Sequence, residues 1–341
     1  MGKIFAALVL SFFVIFLINL IWTLTNLYYF AVVGFQTMFV ATTLVENVYF
    51  SIYLKWILLL DFSYLISVLI FMSTRKNYKT DPQLHHLSNN PIKDPKICII
   101  VPTYNEEKNV ELVISDYKRQ KNVNNIIIID NHSSDKTVEI ARSCGVKVVT
   151  KDSNKGFAHS CIVGMREAVK TDSNIAVFTE CDGTYSGMDI EKMTPYLDNC
   201  DMVIGTRQIQ VLTEKGNQNS ILYVWGNYFL AKLMQVKYFS LLHLSVVELT
   251  DVGCMHRCIK KDMLEKIIDK LTYTNSDEVI ISKESGLFAI LMTMIGIENN
   301  YRIIEIPITF KKRLGISKTK SDKKIHALRY GLNFFWCILI R

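Results

Sequence analysis

The sequence predicts an α/β fold with a largely parallel sheet, preceded by amino-terminal transmembrane helices. Three observations predict it. From Ile4 to Val45 the chain carries no Lys, Arg, Asp or Glu, a stretch that a soluble domain alone explains poorly. From Lys96 to Phe178, short apolar runs alternate with segments that read as helices, the pattern of a buried parallel sheet. Those runs are followed at once by polar residues, which in open α/β sheets marks the ligand-binding end. Of the 341 residues, 50% are hydrophobic and 21% charged, which excludes a disordered or low-complexity chain. A mean hydropathy of +0.19 coexists with a net charge of +7, so apolar and basic residues are segregated along the chain.

The amino-terminal region, residues 1–75, reads first. Ile4–Leu24 and Tyr49–Phe71 each approach the roughly 20 apolar residues that a span needs, the latter interrupted by Lys55 and Asp61. Between them, Leu27–Val45 is compatible with spanning, re-entering or connecting at the membrane surface. Its Tyr28, Tyr29 and Phe30 suit an interface, where aromatic rings have one wet side. The first run lacks the small-residue cleavage site of a signal peptide. Arg75, Lys76 and Lys79 follow the last run, and the positive-inside tendency places them and all that follows in the cytoplasm. The expectation is an integral membrane protein with the lipid membrane as a partner. Asp61 inside an apolar run is a functional-site candidate, although a helix-end position or a pairing with Lys55 is the heavier reading.

Residues 76–95 read as a linker, polar and carrying Pro82, Pro91 and Pro95. Strands are expected at Lys96–Val101, Val123–Ile129, Val146–Val149 and Ile175–Phe178. Helices are expected at Glu106–Arg119, Asp135–Ser143 and Phe157–Val169. His256 is placed on a helix after Asp251 and reads as a structural group. The cysteines at 98, 144, 161, 181, 200, 254, 258 and 337 form no CxxC pair. They fit neither a zinc site nor a small disulfide scaffold and read as free thiols.

Four polar clusters follow the strands: Pro102-Thr103-Tyr104-Asn105-Glu106-Glu107, Asp130-Asn131-His132-Ser133-Ser134-Asp135, Asn154-Lys155-Gly156 and Glu180-Cys181-Asp182-Gly183. None is a GxxxxGK[ST] phosphate loop, and none is a GxGxxG dinucleotide fingerprint. What remains is an acidic, nucleotide-sized cleft. Asp130, directly after a strand, can accept hydrogen bonds from a base or ribose. Glu180 and Asp182 can hold a divalent cation, since Mg²⁺ and Mn²⁺ prefer oxygen ligands and a diphosphate supplies more.

Over about Lys96 to Lys318 the sequence resembles the family 2 glycosyltransferases of the GT-A fold. Within them it looks most like the dolichol-phosphate mannose synthase and polyprenyl-phosphate glycosyltransferase group. The resemblance rests on the four clusters in order, together with Ile204-Gly205-Thr206-Arg207, Thr250-Asp251-Val252-Gly253, Glu305-Ile306-Pro307-Ile308 and Arg313-Leu314-Gly315-Ile316-Ser317-Lys318. Three positions depart from the family pattern. Asn131 and His132 stand for the second Asp and the Gly of the second motif, and Glu180 stands for the first Asp of the metal motif.

The resemblance implies metal-dependent, inverting transfer of a hexose from a nucleotide-diphospho-sugar to a polyprenyl phosphate at the cytoplasmic membrane face. Pro102, Tyr104, Glu106, Asp130, Lys155 and Arg207 would contact the donor. Glu180 and Asp182 would hold Mg²⁺ or Mn²⁺, and Asp182, Asp251, Arg313 and Lys318 would form the catalytic set. A lipid phosphate is already ionised and needs no general base; a hydroxyl acceptor would need one, and Asp251 is the best placed. A membrane glycosyltransferase acting on a hydroxyl of a glycolipid or polysaccharide is the alternative. A processive enzyme is disfavoured, because Trp225 has no Q/R-x-x-R-W context. A non-catalytic scaffold has only the three departures in its favour. The implied domains are a catalytic unit at 96–318, including interface helices at 220–247, and a basic membrane-surface segment at 319–341. From Lys311 to Arg341 the basic residues Lys311, Lys312, Arg313, Lys318, Lys320, Lys323, Lys324, Arg329 and Arg341 gather against only Asp322, which suits anionic headgroups. A nucleic-acid partner is improbable beside the acidic cleft, and a homo-oligomer is compatible with the sequence. The donor base and sugar stay open among GDP-mannose, UDP-glucose and UDP-N-acetylhexosamine.

Overall fold

The computed structural model describes residues 2–29, 31, 52–76, 90–214, 221–241, 248–271, 287–315 and 324–341. The chain separates into two compact units. The smaller takes residues 1–77, 240–244 and 339–341. In it, helix α1 (Gly2–Tyr29) lies against α2 (Ile52–Thr74). Both are long and apolar enough to cross a membrane by length and composition. Phe5 stacks on Phe71 with ring centroids 6.2 Å apart, and Tyr64 Oη donates to the Leu8 carbonyl. Asp61 neither ends its helix nor pairs with Lys55 in this arrangement: its carboxylate accepts a 2.9 Å hydrogen bond from Asn19 Nδ2 on α1. The middle apolar segment lies almost wholly outside the described residues.

The larger unit is built on one sheet. Its strands are β1 (Ile97–Thr103), β2 (Val123–Asp130), β3 (Lys147–Thr150), β4 (Ile175–Phe178), β5 (Met202–Thr206), β6 (Arg257–Lys260) and β7 (Ile303–Pro307), in the order β3-β2-β1-β4-β6-β5-β7. Pairs β1–β2, β2–β3, β1–β4 and β5–β7 are parallel, while β6 runs antiparallel to both neighbours. β1 is buried along its whole length, as a strand covered on both faces must be. Around the sheet lie α3 (Val110–Lys118), α4 (Thr137–Ser143), α5 (Phe157–Val169), α6 (Asp189–Met193), α7 (Ile221–Tyr238), α8 (Lys261–Leu271), α9 (Leu287–Glu298) and α10 (Lys324–Ile340). α8 buries one stripe (Met263, Leu264, Ile267, Ile268, Leu271), as an amphipathic surface helix does. α9 is buried on all sides from Phe288 to Ile297 and is a core helix.

Two helices start later than the sequence suggests, each because a local turn precedes it. α4 begins at Thr137, after a turn in which the Asp135 carboxylate bonds the Thr137 N–H at 3.0 Å and its hydroxyl at 2.5 Å. α3 begins at Val110 because residues 106–109 form a turn in which Glu106 O accepts the N–H groups of Asn109 and Val110. His256 precedes β6 rather than lying on a helix. The expected interface helices at 220–247 are one helix, α7, with residues 220 and 242–247 outside the described set. Within the expected tail segment 319–341, α10 is helical and residues 319–323 lie outside that set.

Candidate active site

Strand register brings the clusters to one edge. Thr103 lies opposite Asp130, and Asp130 opposite Thr150, so β1, β2 and β3 end in one row. β4 stops at Phe178, opposite Ile100. The loop after β4 therefore starts below the end of β1, and Cys181 reaches Thr103.

Asp130 is 2% exposed. Its carboxylate accepts the His132 N–H and the Ser133 N–H, each at 3.2 Å, and so shapes the turn that follows β2. His132 sits at φ +68°, in the left-handed region that favours glycine. The turn thus survives the loss of glycine at this position. Asn105, also left-handed at φ +53°, takes Ser134 N–H on its Oδ1 (2.8 Å) and gives its own N–H to Ser133 Oγ (2.9 Å).

A chain of hydrogen bonds joins the second cluster to the fourth. Thr137 Oγ1 accepts Glu106 N–H (2.8 Å), and the Glu106 carboxylate accepts Asn109 Nδ2 (2.7 Å). The same amide donates to Leu314 O (2.8 Å), and Leu314 N–H donates to Asp182 O (3.0 Å). Gly183, at φ +73°, lets this clasp close, since a Cβ there would lie 2.9 Å from Leu314 Cδ1. The third cluster joins through Asn131, whose amide bonds Asn154 Oδ1 (2.7 Å) and Lys155 N–H (3.1 Å). Beneath it, burial lowers the Lys151 ammonium to a pKa of about 8, and its Nζ donates to Ser160 Oγ at 2.8 Å.

The electrostatic centre is Glu180, Asp182 and Arg313. Arg313 Nη2 lies 2.6 Å from Asp182 Oδ2 and 3.6 Å from Glu180 Oε2. Asp182 Oδ1 accepts the Thr184 N–H (3.0 Å) and hydroxyl (2.6 Å). Asp182 Oδ2 is buried and, despite its contact with Arg313, has no aligned hydrogen bond. The Arg313 guanidinium already offsets the charge of this oxygen, so a bound metal ion would share it with Arg313 or displace Arg313 from it. Burial and then Asp182 push the Glu180 carboxyl well above the usual range, against Arg313 and Arg207. Two hard oxygen donors on one loop fit Mg²⁺ or Mn²⁺. Among the described residues no group of three or more His, Cys, Asp or Glu could hold a metal, so phosphate or water oxygens must fill the remaining positions.

The last strands frame a second pole. Arg207 Nε and Nη2 grip Asp251 Oδ2 and Oδ1 at 2.6 and 2.7 Å. Gly253 N–H donates to Asp251 Oδ1 at 3.1 Å. Burial would raise the Asp251 carboxyl, but Arg207 outweighs it and holds it below the usual carboxylate range. The sequence makes Asp251 the base for a hydroxyl acceptor and Arg207 a donor contact. In the structure the two form one bidentate ion pair, which leaves Asp251 a weak base. Asn227 on α7 and Phe334 on α10 border this pole, 3.8 and 3.7 Å from where a Cβ at Gly253 would stand.

Pro102 is buried within β1, while Tyr104, Glu106 and Lys155 stand in the loops with partial or full exposure. Lys318 lies outside the described residues. Sequence reasoning gave no role to Asn109 or Glu305. Glu305 accepts Thr250 N–H (2.7 Å), Thr250 Oγ1 (2.8 Å) and Asp251 N–H (3.0 Å). Burial raises its carboxyl to a pKa of about 7. A usable signal existed for Glu305, a lone acid within the apolar run Ile303-Ile304-Glu305-Ile306; Asn109 had none. His256 is fully buried, stacked on Tyr185 with centroids 5.2 Å apart and in contact with Phe178 O through Nδ1 (3.2 Å).

The family model for Glycosyl transferase family 2 matches residues 98–268. The chain is 24% identical to the polyprenol monophosphomannose synthase of Mycolicibacterium smegmatis, over 65% of this chain and 80% of that protein. It is 24% identical to the undecaprenyl-phosphate mannosyltransferase of Micrococcus luteus, over 71% of this chain and 96% of that one. Among solved structures it resembles glucosyl-3-phosphoglycerate synthase from Mycobacterium tuberculosis in complex with Mn²⁺, uridine-diphosphate and phosphoglyceric acid. The TM-score is 0.50 at 14% identity, over 78% of this chain and 85% of that one. That likeness concerns the fold.

One expectation is corrected by it. The sequence reads as an integral membrane protein with a cytoplasmic catalytic domain. The matching fold, accounting for 85% of an enzyme crystallised with water-soluble ligands, stands without an obligatory membrane segment, and the integral-membrane assignment is withdrawn.

Proposed function

The chain belongs to glycosyl transferase family 2, and on that premise we propose how its residues divide the work of sugar transfer. It is a glycosyltransferase of GT-A-like fold that takes a sugar from a nucleotide-diphospho-sugar, with Mg²⁺ or Mn²⁺ as cofactor. The observation that carries the assignment of roles is the Glu180–Asp182–Arg313 cluster at the exit of β4. Glu180 and Asp182 hold the cation. When bound, the cation offsets the charge that builds on the departing nucleoside diphosphate. Arg313 adds a second positive charge beside the same carboxylates, and Lys318 is proposed to join it. Asp130, Tyr104, Glu106, Pro102 and Lys155 line the donor side. Glu305 and Arg207 fix the Thr250–Asp251 segment at the acceptor side.

For the acceptor we take the broader class, one that presents a hydroxyl. The support is at the level of fold, where the matching enzyme holds phosphoglyceric acid beside uridine-diphosphate. A second reading has its own support. The two sequence relatives are named for polyprenol and undecaprenyl-phosphate, and an ionised phosphate oxygen attacks without a base, which suits an Asp251 already bound to Arg207. We also propose the division into an apolar region to residue 75, a linker to 95, a catalytic unit at 96–318 and a basic segment at 319–341.

One experiment separates the readings. Purified full chain in detergent is given GDP-mannose, UDP-glucose or UDP-N-acetylglucosamine, with either polyprenyl phosphate or 3-phosphoglycerate, with and without EDTA. A metal-dependent product on phosphoglycerate supports the first reading, and a labelled lipid product the second. Hydrolysis alone with every pair overturns both.

A further inference from the structure

We propose that Asn109 is a positioning residue, whose side-chain amide ties the Arg313–Leu314 segment to Glu106 and so fixes the Arg313 guanidinium beside Glu180 and Asp182. The inference rests on the reading above that Glu106 lines the donor side and that Arg313 adds positive charge for the departing diphosphate. Asn109 and Leu314 lie 205 positions apart, so no local pattern marks the pair.

Asn109 stands where an asparagine ordinarily does something else. It immediately precedes α3, and at that position an asparagine side chain usually accepts an N–H from the first helical turn. Here the side chain makes no such bond. Its Nδ2 donates to Glu106 Oε2 at 2.7 Å and to Leu314 O at 2.8 Å. A backbone carbonyl can only accept, so Leu314 O identifies the nitrogen of the amide, and both of its protons are committed. Asn109 is 5% exposed, so water is a poor substitute for it.

The same segment is held from its other side. Lys311 N–H donates to Thr184 O at 2.8 Å, and Leu314 N–H donates to Asp182 O at 3.0 Å. Those bonds fasten it to the loop after β4, while Asn109 fastens it to the loop after β1. Arg313 lies between the holds, its Nη2 2.6 Å from Asp182 Oδ2 and 3.6 Å from Glu180 Oε2. With the backbone held on both sides, Arg313 can pass from the carboxylates to a diphosphate by side-chain rotation alone. A charge placed in advance in this way stabilises a leaving group without reorganisation.

A capping role and a tie predict different outcomes for two substitutions. Asp and Ser serve about as well as Asn before a helix, so capping alone predicts wild-type behaviour for both. Asn109→Asp has no proton to give and sets a carboxylate against Glu106 and the Leu314 carbonyl. Asn109→Ser keeps one proton on a shorter side chain and cannot hold both partners.

The test compares full-length wild type, Asn109→Asp, Asn109→Ser, Arg313→Gln and the double variant Asn109→Ser with Arg313→Gln. Amide hydrogen exchange is followed in peptides covering 309–315 and 109–118. Values of kcat and KM are measured with the donors and acceptors named above. Exchange at Leu314 is expected to speed about tenfold in both Asn109 variants, with 109–118 as in wild type. Their kcat should fall about tenfold, with a smaller change in KM. On top of Arg313→Gln, Asn109→Ser should cost less than about twofold, because the group it positions is already gone. Wild-type exchange at 309–315, faster exchange confined to 109–118, or a further tenfold loss in the double variant overturns the proposal. A wild type that transfers no sugar with any pair overturns the functional premise instead, and the exchange comparison still decides the tie.

Discussion

Asp182 concentrates the chemistry of the site in one side chain. One of its oxygens is saturated by Thr184, and the other is buried beside Arg313 without an aligned hydrogen bond. Replacing it with Asn removes the charge and keeps the shape. Asp182→Asn is expected to lower kcat/KM by about 100-fold or more, while circular dichroism and the thermal midpoint stay close to wild type. A thermal collapse would show a structural role instead. His256 gives a prediction about stability. Burial lowers its pKa to about 4, from about 6.5 for an ordinary imidazole, so the folded state binds fewer protons than the unfolded state between these values. Its contribution is therefore complete above pH 6.5 and is lost as pH falls towards 4, by up to about 3 kcal/mol. Urea titrations from pH 7 to pH 4.5 should show this acid limb, and His256→Gln should flatten it. The sequence marked Asp182 and Asp130 because they follow strands. It could not reveal that Arg207 holds Asp251, because the pair lies 44 positions apart and only folding brings them together.

At the level of elements, the legible parts were those with local signals. The helix Phe157–Val169 and the strand Ile175–Phe178 have the bounds expected from their apolar patterns. Helix starts at Val110 and Thr137 were displaced because a backbone turn closes on Glu106 O before the first and the Asp135 carboxylate holds Thr137 at the second, and such local hydrogen bonds are invisible to periodicity. The core helix α9 and the strand β6 were not read at all. An all-round apolar helix has no polar face to give it a period, and β6 is only Arg257–Lys260. Packing between α5 and β1 gives a test. A Cβ at Gly164 would lie 2.3 Å from Ile100 Cγ2 and 3.3 Å from Ile129 Cγ1. Gly164→Ala is therefore expected to destabilise by about 1–3 kcal/mol through overpacking, despite alanine's better helix propensity. Chemical denaturation measures it, and a stabilised variant would refute the packing account.

For the whole molecule, the sheet order places the chemistry. β1 sits between β2 and β4, so the donor-side turn at Asp130 and the acidic loop at Glu180–Asp182 flank one strand end. β6 enters antiparallel between β4 and β5 and brings the Thr250–Gly253 segment beside Arg207. Because phosphate oxygens must complete the coordination that two carboxylates begin, metal and donor are expected to bind interdependently. Full-length protein treated with EDTA should lose sugar transfer and bind UDP or GDP markedly more weakly, with both restored by Mn²⁺ or Mg²⁺. Isothermal titration in the presence and absence of metal checks this, and unchanged nucleotide affinity would refute it. The sequence by itself determined the α/β alternation, the polar clusters at strand ends and the order of motifs, since each is written in neighbouring residues. Only the tertiary structure decided that β6 reverses direction, that Asp251 is engaged by Arg207, and that Asn131 bonds Asn154 and Lys155. Those features depend on which distant groups meet, and local patterns of polarity specify faces and ends but not partners.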